Sequence, residues 1–298
     1  MSVYPDSQPS QASPPPQPPP QRSDGWSGAK KTLGPLGAIG VLILKFFAKI
    51  KFLVIPLLKF LPIILKSGGT MILSIGVYAL VFGWKFALGF VLLIFVHECG
   101  HLLIAQRFGL KVSAPVFIPF MGAFILLKDQ PRNAWMEACV GIGGPILGGL
   151  GALVCNSMGE LFDSPILLAL ASTGYFLNLF NLMPVGFLDG GRIATALSRW
   201  LWIPGLLLLL VFGFTHPNLI VWLIVFTSLP RVFSLFRKRS EEEERYFEVT
   251  SVQRWTMSFL YFGLIAILAL GQYIAHNELA DRGYVQHTRK EHRQPVFQ

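Results

Sequence analysis

Long, nearly uncharged runs restrict what this chain can fold into more than any other feature. Stretches at 84–108, 134–158, 165–183 and 254–275 carry few charged side chains. Each approaches or exceeds the roughly 20 helical residues that cross a hydrocarbon core. Only 14% of the 298 residues are charged, against about 25% in a soluble globular domain. The expected fold class is therefore an all-α polytopic membrane protein. It has about six transmembrane helices, a small β-hairpin at the membrane edge and an N-terminal interfacial segment.

Punctuation along the chain divides it into five parts. Residues 1–32 form a Pro-rich tail with too little apolar surface to offset the entropy of ordering, so they are expected to be disordered. Residues 33–66 are apolar but carry Lys45, Lys49, Lys51, Lys59 and Lys66, with Pro56 and Pro62. Lysines are costly at the bilayer centre. An interfacial segment with snorkelling side chains is expected, a tilted and broken span being the other reading. Residues 67–200 make a membrane core, 201–275 further transmembrane helices, and 276–298 a polar tail. Within the core, 111–128 combines β-branched and aromatic residues with Pro115, Pro119 and Gly122, and reads as a strand or hairpin. Backbone of that kind survives at membrane depth only beside protein or a water-filled cavity. The run Glu241–Glu244 reads as a solvated turn.

The net charge of +9 is expected to serve the membrane surface rather than a nucleic acid, since no nucleic-acid motif accompanies it. With the N-terminus cytoplasmic, only Lys85, Arg282, Arg289, Lys290 and Arg293 of the 25 basic residues fall outside. That distribution obeys the positive-inside rule. Without sorting motifs, a bacterial-type plasma membrane is expected.

The chemistry concentrates in His97-Glu98-Cys99-Gly100-His101, an H-E-x-x-H pattern inside an apolar helix. Residues four apart share a helical face, so both imidazoles can meet one tetrahedral ion, with Glu98 beside a water as general base. Three ionisable residues within five membrane positions need compensation, which a metal provides. A catalytic zinc site usually takes three protein ligands. Asp189 is the leading candidate for the third, because its helix returns it to the side of His97. Glu137 is the competitor. Pro184, Gly186, Gly190 and Gly191 around Asp189 break the helix and free a carboxylate to turn inward.

HECGH together with the later NLMPVGFLDGG resembles the site-2 proteases, which cleave within membranes; the likeness covers about residues 68–200. It implies that His97, His101 and Asp189 hold one zinc ion and that Glu98 activates water. It also implies that Asn181 hydrogen-bonds the substrate or the developing oxyanion. The implied partners are the lipid bilayer and a membrane protein cut in or near a transmembrane segment. The strand at 111–128 would receive the unwound substrate by strand addition. Members often carry a second proline between the motif's proline and aspartate, where this chain has Val185-Gly186-Phe187. The competing expectations are a catalytically silent scaffold of the same fold and a metal transporter.

Overall fold

The computed structural model describes residues 66–283. The Pro-rich tail, all of the 33–66 segment but Lys66, and residues 284–298 lie outside the described residues. Helices α1 (Lys66–Phe82) and α2 (Trp84–Arg107) meet at Gly83. Its φ of 80° lies in the left-handed region that glycine tolerates best.

Strands β1 (Val116–Ile118) and β2 (Gly122–Phe124) pair antiparallel, with Phe117 opposite Ala123. A further bridge joins Val112 to Leu127, so the expected hairpin is present across most of 111–128. It leans on α1. Thr70 Oγ1 accepts from the Phe117 amide at 3.2 Å, and Tyr78 Oη accepts from the Phe120 amide at 2.9 Å.

Helix α3 (Ala134–Leu161) begins at Asn133, whose side chain accepts from the Met136 amide at 2.9 Å. It is the central post of the bundle and packs against α2, α4 (Pro165–Asn181), α5 (Asp189–Leu197) and α9 (Ser251–Asp281). Between α5 and α9 lie a 3-10 turn at Arg199–Leu201, α6 (Trp202–Thr215), α7 (Leu219–Phe233) and the short α8 (Glu241–Tyr246). Glu241–Glu244 thus belong to a helix and not to a turn. Ser240 and Glu243 close a capping box over its first amides, which satisfies donors that a helix start leaves free.

The protein is a mostly helical membrane protein with a two-stranded sheet. Among the described residues, four helical stretches are long and apolar enough to cross a membrane: Trp84–Arg107, Ala134–Leu161, Leu219–Phe236 and Ser251–Asp281. Lys66–Phe82, Pro165–Asn181 and Arg199–Thr215 are apolar but shorter. The expected count of six therefore depends on how the short helices sit.

Candidate metal and active site

His97 and His101 stand one turn apart on α2, with ring centroids 4.7 Å apart. Asp189 opens α5 and turns its carboxylate onto both rings. Its Oδ2 lies 3.2 Å from His97 Nε2 and its Oδ1 lies 3.2 Å from His101 Nε2. The two Nε2 atoms are 3.0 Å apart. His97, Glu98, His101 and Asp189 are only 3%, 5%, 4% and 7% exposed.

Hydrogen bonds behind the rings fix where the ring protons sit. His101 Nδ1 is 2.8 Å from the Val140 carbonyl oxygen. That oxygen only accepts, so Nδ1–H donates. His97 Nδ1 is 2.8 Å from Asn178 Oδ1. Asn178 spends its Nδ2 on the Gly174 carbonyl at 2.7 Å, which turns its oxygen toward His97 as the acceptor. In its neutral form each imidazole therefore aims an unprotonated Nε2 at the carboxylate. Three lone-pair donors crowded into a buried spot repel one another unless a cation sits among them. The spacing also fits: ligands about 2.0–2.2 Å from a tetrahedral zinc lie roughly 3.3 Å from each other. Nitrogen and carboxylate donors together suit zinc.

Small residues on α3 clear the space. Gly141, Gly144 and Gly148 follow one another at helical spacing along one face. A Cβ on Gly144 would come within 2.2 Å of His101 Nε2, and one on Gly148 within 2.4 Å of Asn178 Oδ1. A Cβ on Gly141 would lie 3.2 Å from the Asp189 carbonyl oxygen. Above them, Gly100 and Gly143 bring α2 and α3 into backbone contact. A Cβ on Gly100 would reach the Gly143 carbonyl oxygen at 2.1 Å.

The Asp189 side is built from a broken helix. Pro184 has no amide hydrogen to continue α4, and Gly186 takes a φ of 56°. Three side chains from later elements hold this turn by its backbone. Tyr261 on α9 donates to the Leu182 carbonyl at 2.5 Å, Arg231 on α7 to Gly186 O at 2.6 Å, and Trp202 Nε1 to Gly191 O at 3.1 Å. Donors meet because four helices agree.

A cavity of about 460 Å³ opens onto the site. Glu98, Asn181 and Asp189 line it together with hairpin residues Ile118 and Phe120 to Leu126 and apolar side chains such as Phe90 and Phe180. Asn181 is half-buried there at the end of α4.

Among the described residues, the structure groups His97, His101 and Asp189 as potential metal ligands, all ligand atoms lying within 4.8 Å of one another. Glu137 stands apart. Its carboxylate accepts from the Tyr246 hydroxyl at 2.8 Å and faces Arg231 at 3.5 Å, beside a separate pocket of about 260 Å³. Burial, and then the Glu137 carboxylate, push the Tyr246 hydroxyl above its ordinary range, so it stays a donor. The exposed His216 ring lies away from this group, hydrogen-bonded to Thr215 Oγ1 at 2.9 Å. Sequence reasoning missed Asn178. An asparagine inside the last turn of an apolar helix was the available signal, since polar groups in a bilayer need partners.

These features define a class: a helical membrane protein that brings a His-Glu-x-x-His pattern and an aspartate carboxylate to one buried point. Residues 85–164 match the model of Peptidase family M50, which bears out the likeness to the site-2 proteases. The chain is also similar to the zinc metalloprotease MJ0392 of Methanocaldococcus jannaschii. The two are 27% identical over 175 residues, covering 53% of this chain and 48% of that protein. The chain thus spans about half the length of the curated relative it matches.

Proposed function

We propose that the protein is a zinc-dependent intramembrane endopeptidase, hydrolysing peptide bonds in or near transmembrane segments of other membrane proteins. The observation that carries this reading is the convergence of His97, His101 and Asp189 beside the buried Glu98, on a cavity that continues to the hairpin. Similarity to Peptidase family M50 over the segment containing HECGH supports it. The charge distribution supports a cytoplasmic N-terminus, and we place the protein in a bacterial-type plasma membrane.

In this proposal His97, His101 and Asp189 hold the ion, with Nε2 of each ring and the carboxylate as donors. Zinc supplies Lewis acidity to the reacting carbonyl and to the attacking water. Glu98 takes the proton from that water and delivers it to the leaving amine. Asn181 hydrogen-bonds the substrate or its developing oxyanion. A helical peptide bond is shielded by its neighbours, so the substrate unwinds and lays an extended segment along the hairpin. Apolar side chains lining the cavity accept those of a transmembrane segment.

The test is cleavage of a co-expressed membrane substrate by Glu98→Gln protein of known zinc content. Retained zinc with cleavage reduced by at least 10²-fold is expected, the scale of a lost general base. Undiminished cleavage would remove Glu98 from the reaction.

A further inference from the structure

Asn178 is 2% exposed and lies in the last turn of α4, where apolar neighbours give it no water. A buried amide in such a place must satisfy its own hydrogen bonds. It uses its two ends differently. Nδ2–H donates to Gly174 on its own helix at 2.7 Å, and Oδ1 accepts from His97 Nδ1 on α2 at 2.8 Å. The first bond sets the amide's direction, and the second transmits it to the imidazole. Gly148 on α3 leaves the pocket the amide occupies, since any Cβ there would sit 2.4 Å from Oδ1.

The two histidines are supported unequally. His101 is backed by a main-chain carbonyl, Val140 O at 2.8 Å, which no side-chain substitution removes. His97 depends on one replaceable side chain. Without an acceptor at that point, the His97 ring is free to carry its proton on Nε2 instead, or to rotate. Either outcome withdraws a donor from the ion. Partners that bond the far nitrogen of a ligating histidine fix its tautomer and typically change metal affinity by 10–100-fold.

We propose that Asn178 is the positioning residue for His97 and thereby governs how tightly the site retains zinc. This inference rests on the metal-site assignment above and adds a residue on a third helix to it. An amide that merely glued α4 to α2 would affect thermal stability alone, because interhelical bonds in membranes are general in that role.

The experiment compares full-length protein in detergent, loaded with zinc and titrated against a chromophoric zinc chelator. The variants are wild type, Asn178→Leu, Asn178→Asp, Gly148→Ala and His101→Ala. Asn178→Leu, close in size but with no acceptor, is expected to lose zinc at 10–100-fold lower chelator concentration. Asn178→Asp keeps an acceptor for His97 but loses the donor to Gly174 O, and is expected to fall between wild type and Asn178→Leu. Gly148→Ala leaves the amide present but displaced, and is expected to weaken retention too. Zinc retention by Asn178→Leu equal to wild type overturns the inference alone. If Asn178→Leu does not fold, unchanged retention in Gly148→Ala overturns it equally. A wild type that holds no more zinc than His101→Ala overturns the metal site, and this inference with it.

Discussion

Helices α2 and α3 are about as apolar as the stretch Leu219–Phe236 and as α9, yet the two pairs live in different surroundings. Within their most apolar stretches, 61% of α2 and 56% of α3 is buried, against 22% and 17% for the later pair. Hydropathy alone does not separate them. Side-chain size and polarity do. The inner pair carries most of the glycines that touch neighbouring backbone and side chains, against Gly271 on α9, and it carries His97, Glu98 and His101. The outer pair shows large exposed apolar groups such as Leu219, Phe259 and Ile267. In a bilayer, lipid rewards apolar surface as well as protein does, so close packing marks the interior instead.

The contrast breaks most readily at Gly100. Gly100→Leu must push α2 off the Gly143 backbone, and overpacking of that kind against main chain has no rotamer to yield. We expect loss of folded protein in size-exclusion, and with it of the proposed zinc content in metal analysis; recovery of folded Gly100→Leu protein would dissolve the distinction. An intermediate effect is expected where the outer pair reaches inward. Tyr261→Phe removes the bond to Leu182 O and should cost about 1 kcal/mol, a drop of a few degrees in thermal unfolding. A larger loss would mean that α9 belongs to the inner set. The smallest effect is expected at Gly263 on α9, where an added Cβ meets nothing within 4 Å. Gly263→Ala should leave stability within about 0.5 kcal/mol and activity unchanged.

Much of the inner region was legible in the residues. The spacing of His97 and His101 states a shared face, and the break at Pro184 with Asp189 beyond it states where a helix releases a carboxylate. The hairpin announced itself by Pro115, Pro119 and Gly122. What stayed hidden was pairing between distant segments. Nothing local says that Asn178 meets a ring 81 positions away, or that Glu137 is engaged by Tyr246 and Arg231. Glu137 therefore competed for a role that its neighbours exclude. The capping box at Ser240 and Glu243 was readable, but four consecutive glutamates drew attention to solvation instead of to the serine before them. The span count was blurred for a different reason: apolar runs of 14 to 17 residues satisfy composition without satisfying length.

The bare contact between Gly100 and Gly143 has a mechanical meaning. Where main chain rests on main chain, nothing can swing aside, so the jaw carrying both imidazoles has no soft hinge there. In the proposed reaction, any widening that admits a guest polypeptide has to be supplied by other parts of the wall, while the cradle beneath keeps its shape.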